Sequence, residues 1–414
     1  GRFLVRKDIV YLGDLHIKRG ERWEECVRVM TWIAEYIERV KPSAVVVGGD
    51  IYDGNSDPEE REFFSDWAQR IAAVCPLLVI RGNHDRLKDL RIIAKLSGKH
   101  PIIVEEGAGV HRIAGCKIAA MAWPQTAILK ASGLDERTAL QNVLRGLGAE
   151  MAEDDGAIPI CGAGHWLITG SVSSTGQPLL GLPVSVSLEE LAMLNVPVVL
   201  ASHIHKHQSW HYGKTDILFA GSPFRCNFGE SESKYVIHVT WENGITTWGA
   251  IETPARAMLF FDAEWNDGLE INYPADLPGA ECRLRYRVDS DQREAAAAKA
   301  DETRQVMLAM GAYSVKLEER VIAKTRARVP EMLAITDGDP DDQWENDDLD
   351  DDEDGSDPTL TPAASEDAAS QPRRARSMTE RQLEVLWKAR SEDIDPLRKA
   401  RLLEKVSTID TEAA

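Results

Sequence analysis

The chain alternates short, wholly apolar runs with longer stretches in which apolar residues recur every three or four positions. Val45–Val47 is three β-branched residues in a row, and Ile9–Leu12, Leu77–Ile80 and Val196–Ala201 are comparable apolar runs. Runs of this length predict strands buried on both faces. Between the first two, Glu21–Val40 carries Trp23, Cys26, Val27, Met30, Ile33, Ala34 and Ile37 at helical spacing. After the second, Asp57-Pro58 reads as a cap and first-turn proline opening a helix striped by Phe63, Trp67, Ile71 and Val74. Strand, helix, strand in succession predicts the βαβ unit of a parallel sheet. Lys234–Thr240 and Gly244–Ile251 read as a hairpin. A second β-α-β pattern follows: a strand over Glu281–Val288, an alanine-rich helix over Gln292–Met310 and a strand over Tyr313–Ile322.

At 414 residues the chain exceeds one ordinary core. The predicted division is 1–253 as the main domain, 254–336 as a smaller unit, 337–376 as a linker and 377–414 as a helical tail. Composition supports the linker. Between Asp337 and Asp367 stand 15 acidic residues and no Lys or Arg, so the net charge of −20 becomes −20 + 15 = −5 for the rest of the chain. That mild acidity gives no argument for nucleic acid, and an acidic run poor in apolar residues predicts a solvated linker. Beyond it, Ser377 and Glu380 form a capping box. Leu383, Leu386, Trp387, Leu397, Leu402, Leu403 and Val406 then stripe two short helices, which points to an interface with a partner. The six cysteines include no Cys-x-x-Cys pair, which fits a reduced compartment and disfavours a thiolate metal site. With no apolar run of membrane-spanning length and no legible leader, the expected location is cytoplasmic.

Candidate chemistry enters where the strands end. Three of them stop at glycine and are followed by polar side chains: Gly13-Asp14-Leu15-His16, Gly48-Gly49-Asp50 with Asp53, and Gly82-Asn83-His84-Asp85. His165 follows Cys161-Gly-Ala-Gly, and His203 and His205 alternate around Ile204 and so share one side of an extended chain. Taken singly, each has an ordinary reading as a turn, a cap or a core histidine. Together, Asp14, His16, Asp50, Asn83, His165, His203 and His205 are too many donors for one tetrahedral ion and suit two ions sharing a carboxylate. Mixed oxygen and imidazole donors suit Mn, Fe or Zn. Such a pair of ions stabilises the attacking and leaving oxygens of a phosphoryl displacement.

In their order and spacing, Asp-x-His, Gly-Asp-x-x-Asp, Gly-Asn-His-Asp, a mid-chain His and x-His-x-His resemble the calcineurin-like metallophosphoesterase superfamily. Finer marks resemble its SbcD branch of DNA nucleases, partners of the SbcC coiled-coil ATPase. They are His165-Trp-Leu-Ile-Thr-Gly-Ser, Ser202-His-Ile-His-Lys-His-Gln, Gly221-Ser-Pro-Phe, Phe228-Gly-Glu and Lys234. The resemblance implies an α/β fold: a two-sheet sandwich flanked by helices, a small β-α-β capping domain and a helical C-terminal tail. It implies two divalent ions, Mn above others, the first on Asp14, His16 and His205, the second on Asn83, His165 and His203, with Asp50 bridging. It further implies that Asp53 holds His84 protonated and that His84 protonates the departing 3′ oxygen. Ser202 stands where the family usually has Gly.

The activity implied is Mn-dependent exonuclease and endonuclease cleavage at DNA ends in repair or recombination. The partners implied are DNA, an SbcC-like ATPase held through the C-terminal helices, and a second copy of the chain. The alternatives are a phosphatase or small-molecule phosphodiesterase on the same site, or a catalytically silent binding subunit. His207 extends the alternation from His205 but is not counted among the ligands, and His100, His111, His211 and His238 are read as structural or solvated.

Overall fold

The β-branched run near residue 45 is a strand with no exposed side chain, β2 (Ala44–Val47), and it lies at the middle of a sheet. The computed structural model describes residues 6–322, apart from 21, 126–128, 130–132, 175–184 and 267. The predicted linker 337–376 and tail 377–414 lie outside the described residues, as does the end of the 254–336 unit.

β1 (Arg6–Leu12), α1 (Trp23–Val40), β2, α2 (Pro58–Ala72), β3 (Leu77–Ile80), α3 (Leu87–Ile93) and β4 (Ile102–Glu105) follow one another as parallel strands with crossover helices. The predicted hairpin, β13 (Tyr235–Glu242) and β14 (Ile245–Glu252), adds antiparallel to β1 and completes a six-stranded sheet. Asp57 caps α2 and shares a capping box with Glu60, with Pro58 in the first turn. The buried faces sit slightly off the predicted stripes. Val29 is buried on α1 where Val27 is half-exposed, and Phe64 is fully buried on α2 where Phe63 only packs against the edge of the core. Each helix turns by about 100° per residue, so one position decides which neighbour faces the sheet.

A second six-stranded sheet was only partly legible. It comprises β5 (Ala108–Ile113), β6 (Cys116–Met121), β7 (Ile158–His165), β10 (Val198–Ser202), β11 (Gln208–Tyr212) and β12 (Thr215–Phe219), in the order β11-β12-β10-β7-β6-β5. Its outer face carries α4 (Glu136–Ala152) and α5 (Leu188–Ala192). A two-stranded piece, β8 (Leu167–Ile168) with β9 (Ser185–Val186), stands beside it. The two large sheets pack face to face. Ile9, Tyr11, Val46, Leu78 and Ile80 of the first meet Ile118, Ala163, Val198, Leu200 and Leu218 of the second. The alternate residues Val10, Leu12, Val45 and Val47 face the helices. The period of two, with both faces buried, explains why these strands are apolar without a break. The result is an α/β sandwich of two sheets flanked by helices.

A third, smaller sheet is parallel throughout: β15 (Met258–Glu264), β16 (Glu281–Asp289) and β17 (Ser314–Ile322), with α6 (Arg293–Ala309) as the crossover between the last two. β15 is not among the predicted strands; its run Met258-Leu-Phe-Phe-Asp-Ala-Glu does not alternate cleanly. The small unit is tied to the large one by ion pairs of Arg22 with Glu281 and of Arg256 with the buried Glu25, and within the small unit Arg256 lies over the ring of Tyr313.

Candidate active site

Five strands deliver the candidate residues, all at their C-terminal ends. β1 leads to Asp14 and His16, β2 to Asp50 and Asp53, β3 to Asn83 and His84, β7 ends in His165, and β10 leads to His203 and His205. In open parallel sheets this end is where ligands bind, because the loops there diverge. Here the ends of two stacked sheets converge on one place.

The local backbone is unusual. Asp14, His16, Asp50 and His203 all have positive φ, at 53°, 40°, 50° and 115°. For residues with a Cβ that conformation costs about 1 kcal/mol or more each, and it persists only where neighbours over-determine it. The neighbours are visible. The amide of Asp14 donates to the Gly49 carbonyl (3.0 Å), those of Leu15 and His16 both donate to the Asp50 carbonyl (2.8 and 2.9 Å), and that of Ile17 donates to Ile51 (2.8 Å). The two post-strand loops are zipped together, which turns their side chains to one side.

Glycine is required twice at this seam. Gly49 has φ +106°, and a Cβ there would stand 2.6 Å from His165 Nδ1; a Cβ on Gly82 would stand 2.0 Å from Asp50 Oδ1 and 2.3 Å from its backbone nitrogen. Gly82→Ala is therefore expected to push Asp50 out of place. Crowding of this kind costs about 1–3 kcal/mol. Thermal unfolding should show that loss, and metal content should fall with it; a variant with wild-type stability and metal content would show that the seam has slack.

Asp50 is the centre of the cluster. It is 1% exposed, and its Oδ2 lies 3.6 Å from His16 Nε2 and 3.3 Å from His165 Nε2. Its Oδ1 accepts the backbone N–H of His84 at 3.0 Å. On one side, His205 Nε2 stands 3.0 Å from His16 Nε2, and Asp14 Oδ1 accepts the His203 amide at 2.8 Å. On the other, Asn83 Oδ1 lies 2.8 Å from His165 Nε2 and 3.1 Å from His203 Nδ1. The seven expected ligands are thus brought together as two groups that meet at Asp50.

Two features test whether these residues fit metal ions. Asp14 Oδ2 is buried with no hydrogen-bond partner among the described residues, and a buried carboxylate oxygen left that way is costly unless a cation takes it. Asp14, His16 and Asp50, and separately Asp50, His165 and His203, each offer donor atoms within 4.8 Å of one another. Carboxylate, amide and imidazole donors in that arrangement suit divalent ions such as Mn, Fe or Zn.

The electrostatics agree. Burial would push Asp50 up, but His165, His84 and His16 outweigh it and hold its carboxyl well below the usual range. Burial would likewise lower His165, yet the charges of Asp50 and Asp14 carry it up to about 9. Asp14 moves the other way: burial dominates and the charge of Asp50 adds to it, so its carboxyl is raised.

Asp53 and His84 lie just outside the two groups. A carboxylate oxygen of Asp53 and ring nitrogens of His16 and His84 fall within 4.8 Å of one another, and the His84 ring meets His16 edge-on with centroids 5.0 Å apart. The close partners of Asp53 are Lys18 Nζ at 2.6 Å and His16 Nδ1 at 3.5 Å. Against burial, these two hold its carboxyl below the usual range. The structure therefore adds Lys18 to the Asp53 neighbourhood, a residue without a motif signal.

Other residues support the site, and of these Trp123 carries no motif signal. The Trp123 ring stands 4.8 Å from that of His203 and 5.8 Å from that of His165, and its backbone is tied to Arg81 on both sides. The buried carboxylate of Asp85 accepts the amides of Gly82, Ile51 and Tyr52 and so braces two of the loops. Burial, reinforced by Asp50, pushes that carboxyl up to about 6. Ser202 Oγ meets Tyr11 Oη at 2.8 Å, so the serine in place of the usual glycine is satisfied inside the core. Glu230, the last residue of the Phe228-Gly-Glu mark, accepts from His205 Nδ1 at 3.0 Å. Of the remaining histidines, His207 is bound to the Phe219 carbonyl (2.7 Å), His111 to Glu105 (2.9 Å), His211 to Asp216 (2.7 Å) and His238 to Asp8 (3.1 Å), in keeping with structural roles.

Residues 7–207 match the family model described as calcineurin-like phosphoesterase. That span holds every candidate residue, and over it the chain is similar to this family. In particular, the chain is 25% identical over 266 residues to the SbcD component of the nuclease SbcCD of Escherichia coli (strain K12), and equally so to its counterpart from Escherichia coli O157:H7. Each match covers 57% of this chain and 65% of the relative, so the chain spans somewhat less than two thirds of the length of these relatives. Among solved structures, "GAP50 the anchor in the inner membrane complex of Plasmodium" aligns with TM-score 0.41 and 13% identity, covering 60% of this chain and 84% of that one. A dimetal phosphatase from Danio rerio aligns with TM-score 0.39 and 11% identity, covering 60% and 96%. No helix among the described residues is long and apolar enough to cross a membrane.

Proposed function

We propose that the chain is a two-metal DNA phosphodiesterase that cleaves at DNA ends, with Mn as its metal. The observation that carries the reading is the position of Asp50 between two donor groups, 3.6 Å from His16 and 3.3 Å from His165. One ion would be held by Asp14, His16 and His205 and the other by Asn83, His165 and His203, with Asp50 common to both. Bound there, the two ions supply charge stabilisation to the attacking and leaving oxygens of an in-line displacement. DNA rather than a small ester is favoured by the similarity to a component of the SbcCD nuclease.

The protein's own groups supply the rest. Asp50 fixes the backbone of His84 through its amide and leaves the imidazole to donate a proton to the departing 3′ oxygen. Asp53, beside both His16 and His84, orients the two rings. Trp123 walls the His165–His203 side and limits access of water there. The β15–β17 unit acts as a cap that touches long substrates. Residues 377–414 dock on the coiled coil of an SbcC-like ATPase, and the chain works as a homodimer in DNA repair or recombination.

The test is Mn-dependent release of nucleotides from linear duplex DNA, measured beside hydrolysis of bis-p-nitrophenyl phosphate and of p-nitrophenyl phosphate. Nucleotide release with diester hydrolysis is expected. Cleavage of the monoester alone would make the protein a phosphatase and refute the nuclease reading.

A further inference from the structure

His165 and His205 are presented to the cluster in the same way. Each turns Nδ1 to a fixed acceptor and leaves Nε2 for the site. For His165 the acceptor is the Gly48 carbonyl at 2.9 Å; for His205 it is Glu230 Oε1 at 3.0 Å. The second acceptor is a fully buried carboxylate inside a dense network. Glu230 Oε1 also accepts from Asn227 Nδ2 (3.1 Å). Its Oε2 accepts from Ser222 Oγ (3.3 Å) and the Cys226 amide (3.3 Å) and pairs with the ammonium of Lys234. Lys234 is itself 2% exposed, and its Nζ donates to the backbone carbonyl of His205 at 3.0 Å and to Glu232 at 2.9 Å. Arg225 Nε donates to the Glu230 carbonyl at 2.9 Å, which fixes the loop that carries the carboxylate.

His205, Cys226 and Glu230 also form a cluster of donor atoms within 4.8 Å of one another. The ammonium of Lys234 already sits on that carboxylate, so a cation there would meet a buried like charge. The arrangement is a bracket around His205: a carboxylate on its ring and a lysine on its backbone.

We propose that Glu230 and Lys234 are a positioning pair, which holds His205 as the Nδ1–H tautomer with Nε2 turned toward His16 and so sets the affinity of the ion held by Asp14, His16 and His205. The inference rests on the two-metal reading above. The physical ground is general: a carboxylate on the far nitrogen of a ligating imidazole fixes its tautomer and orientation and raises its basicity. Losing such a partner typically weakens metal affinity by about 10–100-fold.

Calorimetric titration of the full chain with Mn tests it. Glu230→Gln alone would strand a buried lysine, so the informative variant is Glu230→Gln with Lys234→Met. Wild type should bind two ions per chain. The double variant should weaken one of them by about 10–100-fold and leave the other within about twofold. The weakened ion should be the one that His205→Ala abolishes, read from the matching manganese EPR signal. Glu230→Asp keeps the charge for Lys234 but withdraws the carboxylate from the ring; it should weaken the same ion to a smaller degree, and it decides the matter if the double variant does not fold. Two unchanged affinities in a folded variant overturn the inference and leave the two-metal reading standing. Equal weakening of both ions overturns it too, since that is the mark of a general structural role. Fewer than two ions in wild type overturn both.

Discussion

Asp50→Ala is expected to lose the ion on the Asn83, His165 and His203 side, to weaken the other, and to lower phosphodiesterase turnover by about 10³-fold or more. The two sides differ because of what remains. Without Asp50, the first side keeps the carboxylate of Asp14, whereas the second is left with an amide and two imidazoles and no anion. A two-ion clamp is worth several kcal/mol of transition-state stabilisation, and about 4 kcal/mol is about a thousandfold in rate. Asp50 also anchors the His84 amide at 3.0 Å, so its loss disturbs the proposed acid as well. The backbone carbonyl that receives Leu15 and His16 remains in the variant, which should keep the two loops joined and the protein folded. Elemental analysis of the purified variant decides the matter. Two ions retained per chain would sink the shared-carboxylate assignment.

His84→Ala should behave in the opposite way: both ions kept, DNA binding kept, and turnover reduced by about 10²–10⁴-fold, the usual worth of general acid–base catalysis. The backbone position survives the substitution, since the bond to Asp50 comes from the amide and not from the ring. What goes is the imidazole beside His16 and Asp53. If that ring protonates the leaving oxygen, its removal matters for DNA, whose 3′ alkoxide is a poor leaving group. It matters far less for a p-nitrophenyl diester, whose phenolate departs without a proton. Comparing kcat on the two substrates separates the roles. An equal loss on both would count against His84 as the acid and in favour of a part in binding or orientation.

Much of this was legible along the chain because it depends on local rules. Wholly apolar runs of four residues bounded by glycine, proline or polar residues, Ile9–Leu12 and Leu77–Ile80, predict strands covered on both sides, and both are. Glycine followed by a polar residue at three strand ends marked where the chain turns and what it presents. The hairpin β13–β14 and the cap of α2 were likewise matters of a few adjacent residues. The second sheet was harder to read. β5 and β11 are edge strands with mixed exposure and no strong period of their own, whereas α4 does carry Leu140, Leu144, Leu147 and Met151 at helical spacing behind its cap Asp135. β15, also of mixed exposure, does not alternate cleanly in sequence.

By itself, then, the sequence determined the order of strands and helices as far as β3, the residues that end those strands, and the kinds of donor atom available. Those follow from side-chain period, glycine and chemistry within a few positions. Only the tertiary structure decided that Asp14 and His203, 189 residues apart, share a hydrogen bond. It also decided that four non-glycine residues take positive φ because opposite loops hold them there, and that Asp53 is flanked by Lys18 as well as by two imidazoles. Glu230 is the sharpest case. In the sequence it ends the Phe228-Gly-Glu mark without any legible role; in the fold it has no exposure and carries His205 on one oxygen and Lys234 on the other. Lys234 lies only four residues on, but burial and the pairing with His205, 25 residues back, are properties of segments that meet across the chain.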